Sequence, residues 1–366
     1  MSKYEILYFT GTGNTARAAS VFAQEVRNLG NTALVRRVCR DAQADISEAD
    51  TLVVLFPVDN FAAPLPLLSF LKKLPRVSTG RVVVIENYGM LSMAGGLHTG
   101  YGGASTRLVA ALLRRTGYQI QFVGGVGYPE NVTVLASSIS EQRIVEVVQA
   151  GDTRIRKIAA EVAAGRFSVR RDRLGARLLS AAAGFLFRRL GAWQAGKLYV
   201  ADRRCTGCGV CAKACPTGAI RMAKAKPRWN LRCTWCLGCY NLCPVEAVQV
   251  SPLRLALLIA ATVLPVVAIV RWFASAEALL VSLCPPRLVL PAEILLVPVI
   301  YSALFLLMFA ASDLLALAAE RIPGIGKAAS WSYTRRFHRY AAPGFTLLSG
   351  VRPEGLQERS NSRSRA

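Results

Sequence analysis

Cys205-Thr-Gly-Cys208-Gly-Val-Cys211-Ala-Lys-Ala-Cys215-Pro216 is followed by Cys233-Thr-Trp-Cys236-Leu-Gly-Cys239-Tyr-Asn-Leu-Cys243-Pro244, and both runs read C-x₂-C-x₂-C-x₃-C-P. A 4Fe-4S cubane needs four soft thiolates converging on its irons. Two-residue gaps let three cysteines wrap one corner, with backbone amides turned toward the sulfides, and the fourth cysteine of each run ligates the other cluster. Cluster I is therefore expected on Cys205, Cys208, Cys211 and Cys243, and cluster II on Cys233, Cys236, Cys239 and Cys215. Zinc also accepts CxxC pairs. Tetrahedral zinc, however, has no use for a third cysteine at this spacing, nor for a proline after the fourth. Eight of the ten cysteines fall between 205 and 243, a clustering that in a reducing compartment speaks for metal rather than disulfides. Cys39 and Cys284 stand outside both sets and read as single buried or membrane-embedded thiols.

Residues 201–250 resemble a bacterial-type two-cluster 4Fe-4S ferredoxin. The resemblance implies a small α+β domain in which two close clusters pass single electrons at low potential. Its segment carries 8 basic and 2 acidic residues, among them Lys213, Lys224, Lys226 and Arg228. That face suits an acidic electron partner, and equally a plain solvated surface.

Upstream, residues 1–150 alternate short β-type runs (4–9, 51–56, 81–86, 120–126) with amphipathic helical stretches (15–29, 67–74, 105–116, near 140–150). Strands spaced by helices imply βαβ units and a parallel sheet covered on both faces. After the first strand comes Thr10-Gly11-Thr12-Gly13-Asn14-Thr15, opening a helix. Its glycines let several backbone N–H groups point at one anion, its three threonines add donors, and the helix start adds its dipole. With no lysine and no GxxxxGK[ST], the loop suits a monophosphate better than a nucleotide triphosphate with magnesium.

That string resembles the FMN-phosphate loop of flavodoxins, T/S-x-T-G-x-T, in the place where flavodoxins carry it. The resemblance implies a doubly wound flavodoxin-like sheet with FMN at the carboxyl ends of its strands. It puts a second contact loop at Pro57-Val58-Asp59-Asn60-Phe61. A third lies between Asn87 and Gly103, with Tyr88, Gly89, Tyr101 and Gly102, and Phe61, Tyr88 and Tyr101 are the candidate stacking aromatics. The alternative is the same fold with an empty site. Taken together, FTGTGNT, FPV with Pro64, GYGG before a helix, YPEN and both cysteine runs resemble the EFR1-type family of flavodoxin–ferredoxin fusion proteins over residues 1–250.

Outside that resemblance the chain is basic and apolar. Its 366 residues carry 45 Lys+Arg against 22 Asp+Glu and are 53% apolar, with a mean hydropathy of +0.34. The apolar content excludes a disordered or collagen-like chain. The charge suits an anionic partner, and with the hydropathy it favours a membrane. Residues 151–200 hold 11 basic and 3 acidic side chains, and their 174–193 part reads either as a linker helix packed on its neighbour or as an interfacial helix on anionic lipid.

Two uncharged runs follow, 255–270 and 294–312, the first short for a bilayer and the second long enough to span it. The Pro-broken stretch 278–293 between them is expected to dip into the interface. Basic flanks on both sides put both ends in the cytoplasm by the positive-inside rule, and the N-terminus lacks the pattern of a signal peptide. Neither run contains histidine, which excludes a His-ligated transmembrane haem.

The expected plan is a flavodoxin-like domain at 1–150, basic amphipathic linker helices at 151–200 and a two-cluster ferredoxin at 201–250. A two-helix membrane hairpin at 251–322 and a basic cytoplasmic tail at 323–366 complete it. The expected function is electron transfer by a membrane-anchored iron–sulfur flavoprotein holding FMN and two 4Fe-4S clusters. Its partners would be membrane lipid and an acidic redox protein or quinone. Nucleic acid is not among them, since no nucleic-acid motif accompanies the charge. No acid/base or nucleophile constellation stands out, which leaves open an electron carrier, a flavin-dependent reductase of a substrate or quinone, and a flavin-free tethered ferredoxin.

Overall fold

The computed structural model describes residues 1–39, 42–44, 46, 49–59, 62–78, 80–93, 96–98, 102–135, 139–170, 174–186, 192–283, 285–322, 324, 326 and 331–346. Phe61, Asn60, Tyr101, Cys284, Lys327 and the polar C-terminus lie outside these residues. The chain divides into two compact units. One comprises 1–196, 204–248 and 336–366, and the other 197–203 and 249–335.

The first unit begins with β1 (Lys3–Tyr8), α1 (Asn14–Asn28), β2 (Thr32–Arg37), β3 (Thr51–Pro57), α2 (Leu65–Leu71), β4 (Arg81–Met93), β5 (Gly96–His98), α3 (Ser105–Arg115), β6 (Gln119–Pro129), α4 (Glu141–Ala163) and β7 (Ser168–Val169). The main path of the sheet runs β2-β1-β3-β4-β6-β7, and every pairing along it is parallel. Leaving aside β5, which pairs with β4 off this path, and the short β7, this is the 2-1-3-4-5 order of the flavodoxin-like doubly wound fold.

Apolar runs such as Leu52–Phe56 and Val82–Ile85 are buried throughout, as strands covered on both faces must be. Alternate side chains serve two cores. Ile6, Tyr8, Val53, Leu55, Val83 and Ile85 pack with α1 and α4, while Leu7, Phe9, Leu52, Val54, Val82 and Val84 pack with α2 and α3. The order reverses between β1 and β3, so the crevice at their carboxyl ends is the place where this fold binds ligands.

The first unit differs from the sequence reading in strands β2, β5 and β7 and in the length of α4. β2 was not foreseen, because TALVRR is an edge strand with only partial burial and a weak apolar signal. α4 runs on to Ala163 and buries Ile155, Ile158, Ala159 and Val162, so a boundary at 150 falls inside a core helix.

Next come α5 (Leu174–Leu186), α6 (Ala192–Ala195), β8 (Tyr199–Ala201), α7 (Val210–Lys213), β9 (Ile220–Ala223), β10 (Lys226–Trp229), α8 (Gly238–Asn241) and β11 (Val248–Val250). β9 and β10 form an antiparallel hairpin whose two turn residues, Lys224 and Ala225, both have positive φ, as a two-residue type I′ turn requires.

In the second unit β8 pairs with β11, and two long helices follow, α9 (Pro252–Leu283) and α10 (Pro286–Arg321). Both are long and apolar enough to cross a membrane, over Pro252–Trp272 and Arg287–Arg321, and few of the side chains in those windows are buried. The Pro-broken stretch 278–293 is largely helical, with α9 ending at Leu283 and α10 starting at Pro286. Pro285 is the N-cap and Pro286 the first helical residue of α10, where a missing N–H and a fixed φ start a helix rather than break one. At one end of the pair Arg254 binds Asp313 at 3.1 Å and Glu320 at 2.7 Å, and Lys197 binds Asp313 at 2.6 Å.

Candidate redox site

The two cysteine runs adopt one backbone pattern twice. Gly207 and Gly209 of the first run have φ of 73° and 72°, and Trp235 and Leu237, at the same places in the second, have 57° and 60°. These left-handed residues turn the loops inward, and a four-residue helix, α7 or α8, closes each. Cys205, Cys208, Cys211 and Cys243 line one cavity, walled by Met222, Pro227, Val245 and Ala247. Cys215, although in the first run, lies within electrostatic range of Cys233, Cys236 and Cys239. Cys243 thus lies with the first three thiols of the first run, and Cys215 adjoins the first three of the second. Among the described residues no group of three or more His, Cys, Asp or Glu side chains is placed to grip a single metal ion.

Donors face these sulfurs. The N–H of Ala219 donates to Cys215 and that of Ala247 to Cys243, both at 3.3 Å. Burial pushes the Cys211 thiol up to about 11, with Cys243 adding to the rise, and pushes Cys233 up to about 12. Cys236 and Cys239 are raised by the same cause. Cys39, expected buried, is exposed.

The anion loop follows β1. Thr10, Gly11, Thr12, Gly13, Asn14 and Thr15 are all buried. Gly13 takes φ 102° at the start of α1 and donates its N–H to Thr10 Oγ1 at 3.1 Å. Thr12 Oγ1 accepts from Asn131 Nδ2 at 3.0 Å, and Thr15 Oγ1 accepts from Asn87 Nδ2 at 3.3 Å. Each hydroxyl is used as an acceptor, so its own proton is left to donate. The backbone N–H groups of Gly11, Thr12, Asn14 and Thr15 have no partner among the described residues. Buried donors without partners are costly, and a phosphate would satisfy several at once. The residues present fit the phosphate of FMN.

The remaining expected contacts divide. Val58 N–H donates to the Asn87 carbonyl at 2.8 Å, and Asp59 bridges to Ala62, so the Pro57–Asp59 loop is tied beside β4. The half-buried Asp59 carboxyl is pushed up to about 8 by burial, and its Oδ2 has no hydrogen-bond partner. Tyr88 packs its ring against Gly125 and Gly127 of β6. Gly89 and Gly102 leave room for the carboxylates of Glu130 and Glu86, the latter accepting from Ser105 Oγ at 2.5 Å.

What the sequence did not reveal is how closely these parts adjoin. A methyl group on Gly11 would lie 2.9 Å from the carbonyl carbon of Cys236, so the anion loop and the second cysteine run share a boundary. A chain of hydrogen bonds reinforces it. Asn241 of α8 accepts from Thr133 Oγ1 at 2.6 Å and donates to the Asn131 carbonyl at 3.0 Å, and Asn131 holds Thr12.

The segment 339–345 closes over the same place. Arg339 lies 4.3 Å from the Tyr240 ring and donates to the Tyr240 carbonyl. Tyr340 Oη donates to Asn14 Oδ1 at 2.6 Å, Ala342 N–H to the Thr12 carbonyl at 2.9 Å, and Phe345 packs on Gly13. The only signal for this strap was the uncharged string Tyr340-Ala-Ala-Pro-Gly-Phe345 within a basic tail.

Residues 198–221 match the family described as 4Fe-4S binding domain. No curated protein matches the chain. Solved structures similar to it include a flavodoxin from the domain Archaea (16% identity, covering 43% of this chain and 99% of that one, TM-score 0.29). Others are flavodoxins of Streptococcus pneumonia TIGR4 (19%, 44% and 99%, 0.32) and of Bacillus cereus, flavodoxin 2 (13%, 44% and 99%, 0.32). At these scores it is the strand order, not the match, that identifies the sheet. The chain joins a flavodoxin-like domain to a ferredoxin-type 4Fe-4S region.

Proposed function

We propose that the chain is a membrane-anchored electron-transfer protein of the EFR1 type, holding FMN in the flavodoxin-like crevice and two 4Fe-4S clusters in the crosswise cysteine sets. The observation that carries this reading is the shared boundary of the anion loop and the second cysteine run at Gly11 and Cys236. FMN takes up two electrons and releases them singly, which suits one-electron clusters. The protein's own part is positional. Buried N–H groups and threonine hydroxyls hold the phosphate, Asn131 and Asn241 fix the cysteine run against it, and the strap excludes water. α9 and α10 would cross the bilayer with both ends in the cytoplasm, following the basic flanks. Exposed Lys213, Arg221, Lys224 and Lys226 around the first run would receive an acidic redox protein, with quinone as the alternative partner.

Anaerobic purification from detergent, with FMN, iron and acid-labile sulfide assayed per chain, tests the proposal. About one FMN with eight iron and eight sulfide is expected, as two cubanes require. A second reading, a flavin-free tethered ferredoxin, is favoured by the strap, whose Tyr340 and Phe345 contact Asn14 and Gly13 of the anion loop. Clusters without flavin, and no FMN uptake on reconstitution, would establish it in place of the first. Zinc without sulfide would overturn both.

A further inference from the structure

We propose that α5 lies in the plane of the membrane, its leucine face seated among anionic lipid headgroups, as a contact separate from the α9–α10 hairpin. The proposal rests on the membrane reading above. Along α5, Leu174, Leu178 and Leu179 are 63%, 63% and 74% exposed, and Ala181 and Ala182 beside them are exposed as well. Residues 174, 178 and 181 follow the i, i+4, i+7 spacing of one helix face. On the other side Ser180 is 4% exposed and Gly184 is buried. Among the described residues the helix therefore packs by Ser180 and Gly184 and presents Leu174, Leu178, Leu179 and Phe185 outward, the reverse of what a linker helix packed on its neighbour would do.

Charge selects the occupant. Residues 151–200 carry 11 basic and 3 acidic side chains, and in the sequence Arg171 and Arg173 precede α5 while Arg188 and Arg189 follow it. An apolar stripe framed by arginines suits an anionic interface, where the leucines enter the acyl boundary and the guanidinium groups meet phosphate. A second copy of the same face would bring two strongly basic segments together.

The test is hydrogen–deuterium exchange on the full-length, cluster-loaded protein in nanodiscs of phosphatidylcholine alone and of phosphatidylcholine with about one-third phosphatidylglycerol. Amides 174–186 should exchange about ten-fold more slowly in the anionic discs, and high salt or the L178S/L179S substitution should abolish the difference. Three results overturn the proposal: equal exchange in both lipids, slow exchange that the double substitution does not alter, and slowing that depends on protein concentration. Amides 255–270 and 294–312 report the hairpin in the same spectra. Fast exchange there would sink the membrane reading itself, while slow exchange there with an indifferent α5 would sink only this inference.

Discussion

Leu237 sits at φ 60° and is only 3% exposed, a bulky residue in a conformation that usually costs about 1–2 kcal/mol. Its counterpart Gly209 takes the same turn freely. The cysteine spacing was legible because ligand geometry is local, but this left-handed pair was not, since propensity argues against it and only burial repays it. The glycines separate strain from contact. A Cβ on Gly209 meets nothing within 4 Å, so Gly209→Ala should cost about 1 kcal/mol of backbone strain and leave the iron content unchanged. Gly11→Ala meets the Cys236 backbone and should cost about 1–3 kcal/mol together with retained flavin, read by thermal unfolding and cofactor assay. Equal effects of the two would show that the Gly11 boundary carries no weight.

Asp59 gives a pH signature at the same scale. Its carboxyl, ordinarily near 3.8, is raised to about 8 by burial, so between those values the folded chain keeps a proton that the unfolded chain releases. Stability attributable to this group therefore falls as pH rises from about 4 to about 8 and is level above that. Asp59→Asn should remove the slope, with the variant gaining on the parent in melting temperature from pH 5 to pH 8. Parallel melting curves would refute the assignment.

Among the elements, the buried strands and the Ala-rich α1 could be read from the sequence because continuous apolar runs and helical periodicity are strong local signals. β2 and the strap were not legible. Their partners lie far off in the chain, Lys3–Tyr8 for β2 and Thr12–Asn14 for the strap, and nothing local marks such pairings. The α9–α10 pair was legible as apolar, but its polar clamp was not. Arg254, with an 8% exposed side chain, is held by Asp313 and Glu320. Removing Glu320 as Glu320→Ala strands a largely buried guanidinium and should cost about 2–4 kcal/mol, the range for breaking a buried pair reduced for partial exposure. Glu320→Gln, which keeps an acceptor, should cost less. Denaturation in detergent followed by α9–α10 helicity would read this, and equal losses would assign the clamp no electrostatic role.

For the molecule as a whole, the decisive relation is that two runs 28 residues apart form one doubled structure, each completing the other's set. Cys215 belongs by sequence to the first run, yet the thiols it adjoins are Cys233, Cys236 and Cys239, and Cys243 lines the cavity of Cys205, Cys208 and Cys211. Iron counting cannot test this, because crosswise and run-by-run ligation both lose one cluster when one cysteine is removed. Alkylation can. In Cys215→Ser, anaerobic iodoacetamide followed by peptide mass mapping should modify Cys233, Cys236 and Cys239 while Cys205, Cys208 and Cys211 stay protected, and Cys243→Ser should reverse the pattern. The two variants should also differ in flavin behaviour. The set that contains Cys236 borders the anion loop, so Cys215→Ser should slow electron exchange with FMN more than Cys243→Ser does. Modification confined to the mutated run itself would show that each run holds its own cluster.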